Sequence, residues 1–269
     1  MTQQIEYHDA MMKMLELIWG EGYMAPGGTG LTDALVAGLE LSGKAVLDIG
    51  SGLGGPACHL ASAHGAIVTG IDIEPQLIER SRRRGRRQGL GERARFVLVE
   101  PGPLPFEDRS FDAVLSAGAL TQIPDKAAIF AETLRVLRPG GALHSYEWTT
   151  TAAEPSPDMQ HFFEMEGLTY ALETAETYDR LLREAGFVDV RVTDETPWYR
   201  RQAREEYERL RGELYPRMVE LLGRDDADHF VEDWRSMVVV WESGELTQTV
   251  CRSRKSAPGK ERLSPSAPR

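Results

Sequence analysis

Lys44 to Glu74 reads KAVLDIGSGLGGPACHLASAHGAIVTGIDIE, and the order of its pieces decides the fold. Ala45 to Ile49 is a short, β-branched apolar run of the kind that forms a buried strand. Gly50-Ser51-Gly52-Leu53-Gly54-Gly55 then turns the chain into a helical segment that runs to about His64. A second apolar run, Ile67 to Ile71, ends on Asp72. Glycines at such a turn let the backbone pass close to a ligand, and the helix behind it presents its free N–H groups there. An acid at the end of the second strand stands where a ribose offers its hydroxyls. A mononucleotide-like ligand is the consequence.

The glycine pattern alone is shared with dinucleotide-binding dehydrogenases. Two details narrow it: Asp48 precedes the first glycine, and Asp72 follows the turn by about twenty residues. The form V-L-D-I-G-S-G-x-G-G, with G-I-D-I as the second strand end, resembles motif I of the class I S-adenosylmethionine-dependent methyltransferases. The resemblance implies an α/β, Rossmann-like fold. Its sheet is mostly parallel and seven-stranded with helices on both faces, an N-terminal helical lid and an inserted cap. It also implies S-adenosyl-L-methionine as cofactor. The adenosine would lie across Gly50 and Gly52 and Asp72 would accept from both ribose hydroxyls; Ser51, Ile73, Glu100, Pro101 and Ser116 complete the expected cofactor site.

The 269 residues suffice for one α/β domain with an embedded cap. No apolar run approaches membrane-spanning length, and the N-terminus lacks a basic and apolar signal region. Two cysteines, Cys58 and Cys251, are too few for a disulfide framework, so a cytoplasmic setting is expected. The net charge of -11 disfavours a general nucleic-acid binder. The basic run RSRRRGRRQG at Arg80 to Gly89 falls at helical spacing after Pro75 and reads as a solvated helix face.

Along the chain, residues 5 to 19 place Ile5, Met12, Leu15 and Trp19 on one helical face. A glycine-rich loop through Gly28 and a helix from about Thr32 to Leu41 complete an N-terminal segment, residues 1–41, that reads as lid and helices. Residues 42–151 form the cofactor-binding core. In it Pro75 opens a helix to about Gln88, Ala94 to Val99 and Phe111 to Ser116 are strands, and Asp125 caps a helix to about Leu137. R-P-G-G then turns the chain into a strand from Ala142 to Glu147. This rhythm means a parallel sheet with right-handed crossovers, whose ligands gather at the strands' carboxyl ends. Gly50, Asp72, Glu100, Ser116 and Glu147 should therefore line one rim. Residues 152–173 are apolar and read as an inserted cap; 174–251 hold a helix ended by Gly186, a strand from Phe187 to Val192, helical segments at about 201–222 and 226–243, and a last strand near Leu246 to Cys251. The Ser-, Pro- and Arg-rich tail, 252–269, is expected to be disordered.

Several segments carry a narrower match. EYHDAMMKMLELIWGEGYMAPGG at the start, LDIGSGLGG, SFDAVLSAGALTQIPDKAAIF, LRPGG and YDRLLREAGFVDV together resemble the phosphoethanolamine N-methyltransferases and their bacterial relatives, over roughly residues 5 to 252. The resemblance implies that the N-terminal helix and loop close over the cofactor. It makes Tyr7 and Tyr23 the matching tyrosines, and puts Glu100 where an aspartate meets the adenine amino group. The family's histidine in A-L-x-H-I is replaced by Gln122, its S-R-D by Ser116-Ala117-Gly118, and a phosphate-binding arginine of the cap by Leu168; Tyr170 persists. A phosphate needs fixed cationic donors, and glutamine cannot replace histidine as a general base. Phosphoethanolamine is therefore not the expected substrate. A non-phosphorylated small amine is, oriented by Tyr7, Tyr23, Gln122, Tyr170 and Glu147.

The histidines show no zinc-ligand spacing and no metal is expected. Two other readings stay open. One is an enzyme that attacks another carbon of the sulfonium, such as cyclisation of the aminocarboxypropyl arm. The other is a module that binds the cofactor without turnover. No nucleic-acid or membrane partner is expected, and the sequence leaves the oligomeric state open.

Overall fold

Val46 and Leu47 have no solvent-exposed surface, because the strand that contains them, β1 (Ala45–Ile49), is covered on both faces. The computed structural model describes residues 7–257. β1 lies at the centre of a seven-stranded sheet of order β3-β2-β1-β4-β5-β7-β6. Its parallel neighbours are β2 (Ile67–Asp72) and β4 (Phe111–Ala117). β3 (Ala94–Leu98) and β5 (Leu137–Thr150) extend the parallel part, and β7 (Leu246–Arg254) pairs antiparallel with β5 and with β6 (Val188–Asp194). The order reverses between β1 and β4, and a crevice at the carboxyl ends of the strands opens there.

The helices are α1 (Asp9–Trp19), α2 (Gly28–Val36), α3 (Gly55–Ala63), α4 (Pro75–Arg87) and α5 (Lys126–Val136). After β5 come α6 (Pro157–Glu166), α7 (Ala175–Ala185), α8 (Thr196–Arg211), α9 (Tyr215–Leu222) and α10 (Arg224–Ser243). Their ends follow from local chemistry. Thr174 and Asp125 accept backbone N–H groups at the starts of α7 and α5, and Gly186 closes α7 in the left-handed region. The largest core cluster joins α1, α8 and α10 through Met14, Tyr199, Trp234 and Trp241, and α6 enters it through Met159 and Phe162.

Several boundaries differ from the sequence reading. α2 begins at Gly28, about a turn earlier than Thr32, and ends at Val36 rather than Leu41. The helical stretch at 201–222 is two helices, interrupted at Gly212, with Pro216 in the first turn of α9. The tail does not begin at Arg252: β7 runs to Arg254, and the Lys255 ammonium donates to the carbonyls of Leu134 (2.7 Å) and Leu137 (2.8 Å). Residues 258–269, like Ile5 on the first helical face, lie outside the described residues.

The basic run on α4 is not simply a solvated face. Arg84 is 8% exposed and donates to the Leu53 carbonyl (3.0 Å) and to Glu16 (2.7 Å). Arg80 pairs with Asp9, and Arg87 with Glu21. Three arginines thus clamp α1 and the loop behind it onto α4. That loop is stitched to the glycine turn in its own right, since Gly55 N donates to Gly22 O at 2.9 Å.

Candidate active site

A cavity of about 910 Å³ opens at the carboxyl ends of β1, β2 and β4 and runs under α1 toward α6 and α10. It sits near the top of the roughly 300–1,000 Å³ usual for small-molecule sites. Gly50 and Gly52 form its outer wall with Asp72, Ile73, Glu100 and Pro101. Gly50 has φ 71°, and a Cβ there would stand 2.1 Å from the Ala119 Cβ; Gly52 has φ 51°, and its Cβ would stand 2.8 Å from Met24 Sδ. Only glycine lets the backbone turn this tightly beneath its cover.

Asp72 closes the turn. Its Oδ2 accepts from Gly52 N (2.9 Å) and its Oδ1 from Glu74 N (3.0 Å), and the residue lines the cavity with acceptor capacity beyond these two bonds. Burial raises its pKa, and the backbone donors of Glu74, Gly52 and Ile73 pull it back. Behind it Asp48 is 4% exposed with Oδ2 unpartnered, and burial, then the Asp72 charge, pushes its pKa up to about 7. This acidic, glycine-walled recess suits a nucleoside with two hydroxyl donors and a cationic arm. The donor set fits S-adenosyl-L-methionine.

Farther in, the Tyr7 hydroxyl donates to Gln122 Oε1 at 3.3 Å, while Gln122 Nε2 has no partner among the described residues. Tyr170 donates to Glu166 and stacks on Phe163 (5.0 Å) and Trp148 (5.8 Å). Leu168, Met11, Met14, Leu15 and the indoles of Trp19, Trp148 and Trp234 give this half of the cavity an apolar wall.

Of the residues expected from sequence, Tyr7, Gly50, Gly52, Asp72, Ile73, Glu100, Pro101, Gln122 and Tyr170 line the cavity; Tyr23, Ser51, Ser116 and Glu147 do not. The Tyr23 ring lies against the start of α3, 3.2 Å from where a Cβ on Gly55 would be. Ser51 is packed against Gly70 beneath the turn. Glu147 has no exposed surface and points away from the cavity. Its Oε2 accepts from Thr121 N and Thr121 Oγ1, both at 3.0 Å, while its Oε1 and the nearby Ser116 Oγ have no hydrogen-bond partner among the described residues. Burial pushes its pKa up to about 7. Its part is to brace the short turn that carries Thr121 and Gln122 into the cavity.

The sequence reading missed Tyr146, Glu166, Glu206 and Asp233. Tyr146 lines the cavity with its hydroxyl unpartnered among the described residues. Glu206, fully buried, accepts from Trp19 Nε1 (2.8 Å), Trp234 Nε1 (3.1 Å) and Gln202 (3.0 Å) and so fixes two of the cavity's indoles. Asp33, His59 and His64 also meet, both histidine Nε2 atoms lying 2.7 Å from Asp33 Oδ1. They could hold a metal ion, but none of the three lines the cavity.

Residues 47–145 match the family described as a methyltransferase domain. The chain is 33% identical to the 27-O-demethylrifamycin SV methyltransferase of Amycolatopsis mediterranei, over 76% of this chain and 81% of that one. The chain belongs to the S-adenosyl-L-methionine-dependent methyltransferases. This methyltransferase is also 27% identical to phosphoethanolamine N-methyltransferase 1 of Arabidopsis thaliana, over 86% of its own length and 46% of the relative's. It spans about half the length of such relatives. A solved structure of Haemonchus contortus phosphoethanolamine N-methyltransferase 2, with phosphomonomethylethanolamine and S-adenosylhomocysteine, superposes with a TM-score of 0.87 at 24% identity. It covers 94% of this chain and 59% of that one. The methyltransferase fold is thereby shown. Among the described residues no helix is long and apolar enough to cross a membrane.

Proposed function

We propose that this enzyme methylates the nitrogen of a small, non-phosphorylated amine. One observation carries the reading: every charged side chain among the described residues that line the cavity is acidic. Arg200 and Arg201, cations that could otherwise be assigned to a phosphate, are not in its wall, and Leu168 is. A phosphate in such a site would meet carboxylates where it needs guanidinium or ammonium donors. An amine meets complementary charge and aromatic faces.

In this reading Asp72 takes the ribose hydroxyls, Gly50 and Gly52 admit the cofactor against bare backbone, and Glu100 and Pro101 border the adenine. Bound S-adenosyl-L-methionine supplies an electrophilic methyl group. What remains for the chain is to align the acceptor and keep water out. Gln122 Nε2, Tyr7 and Tyr170 border the acceptor, and α1 with its clamped loop covers the site. With both cysteines buried and unpaired, a cytoplasmic setting suits the chain.

A second reading, a hydroxyl acceptor on an apolar molecule, draws on the relative named for demethylrifamycin and on the apolar inner wall. A panel of secondary amines, matched alcohols and phosphoethanolamine, followed by mass spectrometry and by S-adenosylhomocysteine release, separates them. N-methylated products with S-adenosylhomocysteine are expected. Methylated alcohols alone would establish the second reading, and methylthioadenosine release would displace both.

A further inference from the structure

Two carboxylates converge at the inner end of the cavity, one from each of two helices packed together: Glu166 at the end of α6 and Asp233 in the middle of α10. Asp233 is 3% exposed, and its Oδ1 has no hydrogen-bond partner among the described residues although it lines the cavity. Buried carboxylates in native proteins are bonded, and a residue in a cavity wall with an unpartnered, almost wholly buried acceptor is a place where a ligand's donor belongs. Glu166 is half-buried and accepts one bond, from Tyr170.

No cation among the described cavity residues balances this pair. The titratable groups around it are phenols: Tyr170 beside α6 and Tyr199 on α8 are within electrostatic reach of both carboxylates, and Tyr7 before α1 is within reach of Tyr170. Glu206, also on α8, is directed to the indoles of Trp19 and Trp234. Burial raises the pKa of both carboxyls, and Glu166 raises that of Asp233 further. Two acids so placed resist being ionised together, so the pair favours a single negative charge. The walls complement that charge. The Trp19 and Trp234 N–H groups are taken by Glu206, with ring centroids 5.7 Å apart, so these indoles can offer a ligand only carbon and π surface.

We propose that Glu166 and Asp233 are the ammonium site of this methyltransferase, binding the acceptor as a hydrophobic secondary amine in its protonated form and removing its proton. The proposal rests on the amine reading above and adds the residues that select and activate the amine. The pair's carboxylate oxygen takes the proton: one N–H bond breaks, one O–H bond forms, and the electron pair stays on nitrogen. The neutral amine is then the nucleophile, and the proton passes to solvent after turnover. An acid whose affinity for protons is raised by burial is better matched to an ammonium than an exposed carboxylate is. Indole faces add the cation–π attraction that a neutral ligand of equal shape lacks.

The test begins with binding, read by tryptophan fluorescence on the full chain saturated with S-adenosylhomocysteine. Benzyltrimethylammonium should bind at least ten-fold more tightly than its uncharged isostere neopentylbenzene. Asp233→Asn and Glu166→Gln should each abolish that preference while leaving S-adenosylhomocysteine affinity within two-fold, which controls for folding. No preference in the wild type, or a preference that survives both substitutions, overturns the proposal. The second readout is the pH dependence of kcat/KM for N-methylbenzylamine. Glu166→Gln should lower it about a hundred-fold near pH 7, with the gap closing as pH rises and the amine loses its proton unaided. A gap independent of pH would overturn the proton-acceptor role. A wild-type enzyme that binds the cation through these residues yet methylates no amine would remove the amine-acceptor reading and leave the cation site standing. Amine methylation undiminished in both variants would do the reverse.

Discussion

Glu147→Gln separates bracing from chemistry at the residue that the strand-end rule had placed in the site. The substitution conserves volume, and an amide oxygen can still accept from Thr121 N and Thr121 Oγ1, the bonds of 3.0 Å that hold the turn carrying Gln122. What it removes is a buried ionisable group whose pKa rises from 4.5 to about 7, chiefly because burial disfavours its charged form. The sign follows from linkage. A carboxyl with a raised pKa in the fold contributes most below its ordinary pKa, and that contribution is lost as pH rises through the folded value. Between about pH 4.5 and pH 7 the wild type should therefore lose about 3 kcal/mol that the glutamine variant keeps. Urea denaturation of both proteins from pH 5 to 8.5 measures the difference, which should favour the variant increasingly and level off above pH 7.5. Activity at pH 7.5 is the companion assay. A bracing residue leaves it within about three-fold, whereas loss of a general base costs about 10²–10⁴-fold. A stability difference that is flat with pH would refute the burial argument. A well-folded variant without activity would refute the bracing role.

The other expectations are simpler. Asp72→Ala should weaken S-adenosylhomocysteine binding by about 1.5–3 kcal/mol, the scale of a lost charge-assisted hydrogen bond; unchanged affinity by calorimetry would remove Asp72 from the ribose role. Phosphoethanolamine at millimolar concentration should be neither methylated nor inhibitory, because the described cavity wall offers it carboxylates and no cation; turnover matching that of a simple amine would contradict this. Arg84→Met should cost about 1.5–3 kcal/mol, the scale of a lost charge-assisted hydrogen bond, since it leaves Glu16, a quarter exposed, with Gly22 N as its remaining donor among the described residues and the Leu53 carbonyl without its partner. An unchanged urea midpoint would show that the clamp on α1 contributes nothing.

The position of α1 also bears on the lid. Met11, Met12, Met14, Leu15 and Ile18 are all buried, and the helix joins the largest core cluster. Removing residues 1 to 19 would therefore open the core as well as the site. A segment that moves must do so against the Arg80, Arg84 and Arg87 contacts.

The strand, glycine turn and helix from Ala45 to Ala63, and the acid at Asp72, were legible from sequence alone because their determinants are local. Positive φ demands glycine at Gly50 and Gly52, a β-branched run makes a strand, and Thr174 and Gly186 mark the ends of α7 within their own neighbourhood. The family followed from those same residues. Tertiary structure alone decided which side of a strand faces the ligand. Tyr146 and Trp148 line the cavity while Glu147 between them turns to the other face, since successive strand residues alternate. It alone brought Glu166 to Asp233, and Trp19 to Glu206 and Trp234, pairings whose separations along the chain leave no periodic trace. The basic run on α4 reads as a solvated face from sequence because its acidic partners, on α1 and in the loop after it, are distant along the chain. Packing, which acts between elements and is blind to chain order, made them neighbours.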